Sequence, residues 1–194
     1  MIPQWPPWNA VETELATRPK IAVVRLAVRA AARLVPLIVE GSEHYGPEAV
    51  EWAHAIDAAV KAVEAFARGE PVSRFTLDLA AELARGTANA ASAIVRMLGH
   101  SKSAEDAELA FAAAAFAADT ARLSASGRIA SAGMQALRVV DSSGRVPVEL
   151  SIADYSVSVI DTPLWPDGEP EWYREGRAIL SSAVGLPILL KRSQ

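Results

Sequence analysis

The sequence predicts a mainly α protein, an alanine-rich antiparallel bundle of about five core helices with a small C-terminal extension. Residues 104–121 read AEDAELAFAAAAFAADTA, and similar alanine-rich segments lie on both sides. Alanine is the best helix former, but its small side chain buries little surface, so it is useful mainly where helices approach closely. The second observation is that Gly41, Gly69 and Gly99 each follow a stretch with helical periodicity.

Length, composition and charge are those of one folded domain. The 194 residues include 51% hydrophobic and 22% charged residues, which is typical of a globular chain. The net charge of −4 gives no support for binding to nucleic acid. Cysteine is absent, which excludes disulfides and thiolate metal sites and fits a cytoplasmic location. We expect no secretory leader, no membrane contact, no metal and no cofactor.

We expect residues 1–140 to form the bundle domain and residues 141–194 to form an extension packed on it. Residues 1–19 contain Pro3, Pro6 and Pro7 and predict a proline- and tryptophan-rich cap with one short helical turn. The first core helix is predicted from Pro19 to Glu40, with a kink or break at Pro36.

The second helix, from Pro47 to Gly69, is the clearest amphipathic segment. On its polar face, Asp57 pairs with Lys61 and Glu64 pairs with Arg68, at the favourable spacing of four residues.

The three helices that follow are the alanine-rich ones. The third starts after a Ser73 cap and continues through Gly86, since one glycine costs only about 1 kcal/mol. The fourth opens with a capping box at Ser103–Asp106 and ends near Leu123. The fifth is predicted from Ser126 or Gly127 to Val140.

The pattern changes after residue 140. Apolar residues alternate along residues 146–160, which predicts a short β-hairpin, and Asp167-Gly168 marks a turn. Pro170 then opens a last helix, from Glu171 to about Val184.

Arg25, Arg29 and Arg33 recur every four residues on the first helix, opposite its apolar stripe, and Arg18, just before the helix, extends this arginine row. Arginine suits bidentate recognition of carboxylates, so the row is a candidate face for an anion or a protein partner. The alternative is a solvated helix face.

Four tryptophans lie in proline-flanked terminal segments: Trp5, Trp8, Trp165 and Trp172. Exposed, they would anchor a protein interface. The alternative is that the two termini pack over the bundle and that the rings cover seams that alanine leaves shallow.

No catalytic or metal motif is present. His44, His54 and His100 are far apart, and none has metal-ligand spacing. Asp119 in the alanine-rich helix is expected to pair with Arg122. Serine-nucleophile and phosphate-loop motifs are absent, so we expect that the chain is not an enzyme.

Two stretches, residues 26–38 (LAVRAAARLVPLI) and residues 58–72 (AAVKAVEAFARGEPV), are followed by an alanine-rich helix pair. Their order and spacing resemble an immunity-protein family associated with bacterial polymorphic toxins, and related alanine-rich bacterial proteins of unknown function. The resemblance covers residues 18–138. It implies a helical protein that neutralises a toxin partner, and it carries no catalytic residues.

The first hypothesis is therefore a non-enzymatic helical protein-binding module. Four acidic residues near one helix junction are candidates for contact with a basic toxin: Glu40, Glu43, Glu48 and Glu51. The second hypothesis is a regulatory or adaptor domain of a bacterial signalling or defence system that docks through its C-terminal Trp/Pro segment. The third, most remote, is an enzyme with Asp119 or His100 in a pocket.

Overall fold

The structure is a computed structural model that describes residues 5–45, 49–98, 101–147, 154–155 and 162–183. Within these residues, seven helices of ten or more residues pack as a bundle, and there are no strands. The helices are α1 (Trp8–Thr17), α2 (Lys20–Leu34), α3 (Leu37–Glu40), α4 (Ser42–Tyr45), α5 (Ala49–Ala67), α6 (Arg74–Leu98), α7 (Lys102–Arg122), α8 (Ile129–Ser143) and α9 (Glu171–Ala183). The all-α bundle is confirmed.

Helix α7, the alanine-rich helix, lies at the centre and contacts α2, α3, α5, α6 and α8. Its buried positions are mostly alanines, and they are joined by Phe111, which is fully buried. Short side chains let the neighbours approach closely: a Cβ added at Gly41 would lie 2.5 Å from the Cβ of Ala107. The alanine run thus forms the enclosed centre, as the sequence predicted.

The predictions for Pro36 and Gly86 are both confirmed. Helix α2 ends at Leu34 and α3 starts after Pro36, because proline cannot donate the next helical hydrogen bond. Helix α6 runs unbroken through Gly86. Gly144 ends α8 with φ of 62°, a left-handed conformation that suits glycine.

The predicted cap of α7 is wrong by two residues. Ser101, not Ser103, is the N-cap: its Oγ accepts a hydrogen bond from the Ala104 N–H at 3.2 Å. Asp106, predicted as part of the capping box, is fully buried and ion-paired instead. The Ser73 cap of α6 is confirmed by a 3.0 Å hydrogen bond from the Thr76 N–H.

The N-terminal segment is more than a cap. Helix α1 contacts α8, and its Val11 and Leu15 are fully buried in the common core. At the other end, α9 starts after Pro170 as predicted and packs against α3 and α5.

Most of the predicted hairpin, residues 146–160, lies outside the described residues. The exceptions in its second half, Asp154 and Tyr155, are helical rather than extended. A helix suited to crossing a membrane does not occur in the described ranges, since none combines the required length and hydropathy.

Candidate functional site

The arginine row of α2 faces the chain's own C-terminal extension. Arg29 and Arg33 are 4% and 1% exposed. Arg29 donates hydrogen bonds to the carbonyls of Thr162 and Pro163 at 2.7 and 3.0 Å, and Arg33 donates to the carbonyl of Leu164 at 3.0 Å. Residues 162–164 therefore lie against two buried guanidinium groups.

Asp154 supplies the matching negative charge. Its carboxylate oxygens lie 3.2 Å from Arg29 and 2.5 Å from Arg33, and its side chain is only 10% exposed. Burial lowers the pKa of Arg33, and the hydrogen bond and charge of Asp154 act in the opposite direction. We call Arg29, Arg33 and Asp154 the arginine clamp. It joins helix α2 to the extension.

The other two arginines of the row also bind within the chain. Arg25 Nε donates to the carbonyl of Ala67 at 3.0 Å, where α5 ends. The Arg18 guanidinium stacks 4.3 Å from the centre of the Tyr155 ring and pairs with Glu14. Hydrogen bonds from Tyr155 and Arg18 lower the pKa of Glu14, whereas burial and Glu14 raise the pKa of Tyr155 to about 12.

The sequence placed the row opposite the buried stripe of its helix, and for Arg29 and Arg33 this placement is wrong. The extension covers that side of α2, so both guanidinium groups are interior. Their candidacy as partner-binding residues stays a prediction, and it now requires that residues 162–164 first separate from the bundle. Arg25, which contacts the end of α5, is partly exposed.

The four tryptophans of the terminal segments form two separate ring clusters. Trp5 lies 5.3 Å from Trp8 and 5.5 Å from Tyr155, measured between ring centres. Trp165 lies 5.8 Å from Trp172, and its own ring is 7% exposed. Each cluster packs against the common core, and Trp5, Trp8 and Trp172 keep partly exposed edges. These three remain candidates for partner contact.

A second ion cluster joins α7, α3 and the end of α8. The buried Asp106 lies 2.6 Å from both Arg145 and Lys102, and Arg145 also lies 3.0 Å from Glu40. Hydrogen bonding to Asp106 raises the pKa of Arg145. Lys102 and Asp106 are four residues apart, but Arg145 is 39 residues from Asp106 and 105 from Glu40, so no local pattern predicts the cluster.

A cleft of about 290 Å³ opens between α5 and α9, with the end of α2 and the link to α3 at its base. Its apolar residues are Ala32, Val35, Pro36, Val60, Leu164 and Leu180. Its polar residues are Asp57, Lys61, Glu64, Tyr173, Arg177 and Ser181. The extension therefore supplies one wall of the cleft, and the amphipathic face of α5 supplies the other.

The two carboxylates of this cleft differ in how closely they pair with a cation. Asp57 and Lys61 form the predicted pair at 2.5 Å, whereas Glu64 and Arg68 are 4.0 Å apart. Burial raises the pKa of Glu64, whose side chain keeps 31% exposure, and the charges of Arg68, Arg177 and Lys61 act in the opposite direction. The cleft thus offers a carboxylate beside apolar walls, an arrangement suited to a long cationic side chain.

The remaining candidates have partners within the chain. Asp119 binds Arg122 at 3.1 Å as predicted, and also Arg85 at 2.6 Å. His44 lies 2.9 Å from the hydroxyl of Ser103. His100 and Glu48 lie outside the described residues, so the pocket proposed for His100 and part of the acidic junction stay untested.

Comparison with known proteins finds no matching family, no matching curated protein and no matching solved structure.

Proposed function

We propose that this chain is a non-enzymatic protein-binding module, as its resemblance to immunity proteins implies, and that it binds a basic side chain of its partner in the α5–α9 cleft. The observation that carries the proposal is the position of Glu64, a half-buried carboxylate beside apolar walls. Ionisation of this carboxylate is disfavoured by burial, and a partner's lysine or arginine would compensate for that cost.

The size of the cleft supports a side chain rather than a whole small molecule. Its volume of about 290 Å³ falls at the lower limit of small-molecule sites, which span roughly 300–1,000 Å³. A lysine or arginine stem would lie along Val35 and Leu180 while its charged end reached Glu64. The rest of the interface would then form around the rim, where Trp172 and Ile179 keep exposed surface.

The test uses the full chain as bait in extracts of its native host, with mass-spectrometric identification of bound proteins. The wild type is compared with Glu64→Gln and with a control, Asp141→Asn, at an exposed position of α8 that does not line the cleft. We expect one protein to bind the wild type and the control and to be lost with Glu64→Gln. Equal retention by all three would exclude the cleft, and no specific protein with any of them would contradict a binding module.

The alternative, an adaptor that docks through a separable Trp/Pro segment, has less support. That reading predicts a folded bundle after deletion of residues 161–194. The clamp predicts the opposite, because deletion removes the carbonyls that Arg29 and Arg33 bind and exposes the core surface that Trp165, Tyr173 and Leu180 cover. Thermal unfolding of the truncated chain separates the two readings.

A further inference from the structure

Helix α6 exposes large apolar side chains near both of its ends. Phe75 and Met97 are 75% and 76% exposed, and Leu79 and Leu83 are 56% and 41% exposed. The opposite face of the same helix packs into the core through residues such as Ala81. Exposed apolar rows of this length on one helix mark interaction sites.

The spacing of this face is that of a coiled-coil seam. We call the following residues the α6 stripe: Leu79, Leu83, Gly86, Ala90, Ala93 and Met97. They are separated alternately by four and three residues, which is the spacing that keeps one helix face toward a partner helix. Large side chains lie at both ends of the stripe, and small ones lie between them.

We propose that a second copy of this chain covers the α6 stripe, with the two α6 helices antiparallel. In the register centred near residue 88, Leu79 faces Met97 of the second copy and Leu83 faces Ala93 of the second copy. Gly86 faces Ala90 and lets the two backbones approach closely. Each contact occurs twice, as a two-fold dimer requires. A parallel pair would place Leu83 against Leu83 and Ala93 against Ala93, whereas the antiparallel register matches a large side chain with a small one at these positions.

Charge on the rim of the stripe supports the same register. Glu82 and Arg96 lie on one edge of the stripe, and both are exposed. The Glu82 side chain is 68% exposed, although it also pairs with Arg85 of its own helix at 2.8 Å. Antiparallel pairing places Glu82 beside Arg96 of the second copy, and the two-fold axis repeats this ion pair. The charges therefore select the direction in which the apolar residues also fit.

The size of the contact predicts its strength. The stripe is about 27 Å long on a helix about 10 Å wide, which gives much less area than the roughly 1,200 Å² of a standard interface. We therefore expect a dimer that dissociates on dilution rather than an obligate one. None of the stripe residues lines the α5–α9 cleft, so the two surfaces are independent.

The test is sedimentation velocity on the full chain over a range of concentrations, starting from the monomer mass of 20.6 kDa. We expect the average mass to rise toward twice that value. Glu82→Arg places two arginines together and should weaken the dimer at least about tenfold. The double variant Glu82→Arg/Arg96→Glu should restore it, and Glu175→Arg on α9 should have no effect.

Three results would overturn the proposal. The first is a chain that stays monomeric at every concentration. The second is a dimer that Glu82→Arg does not weaken, or that the double variant does not restore. The third is a monomer whose melting temperature falls with Leu83→Glu, which would show that another part of the same chain covers the stripe.

Discussion

Helices α2 and α6 reverse the usual relation between charge and burial. Helix α2 buries Arg29 and Arg33, whereas α6 exposes Phe75, Leu79 and Met97. The buried arginines have their binding partners within the chain, because Asp154 and three carbonyls of the extension bind them. The apolar face of α6 has no equivalent explanation among the described residues, and it points to a partner helix outside the chain.

The difference shows where the function of an alanine-rich bundle has to be sought. The centre is filled by α7, whose short side chains allow close packing and leave little room for a ligand. Two sets of side chains on the surrounding helices stand out: the arginines of α2 that attach the extension, and the apolar side chains of α6 that remain exposed. The α5–α9 cleft lies at the boundary between these two cases, since the extension forms one of its walls.

The largest expected effect is at the clamp. Arg33→Ala should lower the free energy of unfolding by about 3–5 kcal/mol, because it leaves Asp154 without its closest partner in a buried site. Chemical denaturation measures this loss. The control is Arg96→Ala on the exposed face of α6, where we expect a change within about 0.5 kcal/mol at low protein concentration, at which the chain is monomeric. Similar values for the two variants would break the comparison between the helices.

A double-mutant cycle sharpens the assignment to a specific pair. Arg33→Ala and Asp154→Ala should be non-additive, with a coupling of about 0.5–3 kcal/mol, since the two side chains are in direct contact. Additive losses would mean that the extension is attached by its carbonyls or its tryptophans rather than by this ion pair. The same denaturation curves provide the measurement.

Glu64 is an intermediate case, a charge that is only half buried. Its pKa is raised in the folded chain, so the native state holds its proton more tightly and stability falls as pH rises above the unfolded value near 4.5. Glu64→Gln should therefore raise the free energy of unfolding at pH 7, and with it the melting temperature. The gain should be less than about 1 kcal/mol, because solvent screens a carboxylate that is only half buried. The gain should disappear at pH 4. A loss of stability at pH 7 would show that the Arg68 pair outweighs burial.

The smallest effect is expected on the α6 face. Phe75→Ser should change the free energy of unfolding at low protein concentration by no more than about 0.5 kcal/mol, although it removes a large aromatic ring. The reason is that the ring is 75% exposed and lies at the end of the apolar row. A loss of several kcal/mol would show that Phe75 is covered within the chain.

Local features were predictable from the sequence, and tertiary pairing was not. The break at Pro36, the continuity through Gly86 and the start of α9 follow from neighbouring residues alone. The burial of Arg29 depends on Thr162, more than a hundred residues away, and no periodicity reports such a contact. A helix with an apolar stripe and a charged row looks the same whether the row meets water or a later segment.

The most direct test of the contrast between α2 and α6 is the exchange of arginine side-chain Nε protons with water, measured by NMR. Arg33 and Arg96 each donate this proton to a carbonyl, at 3.0 and 3.1 Å, but the first is buried and the second is exposed. We expect exchange at Arg33 to be slower by at least an order of magnitude than at Arg96. Equal rates would show that the extension does not cover α2, and would contradict the clamp.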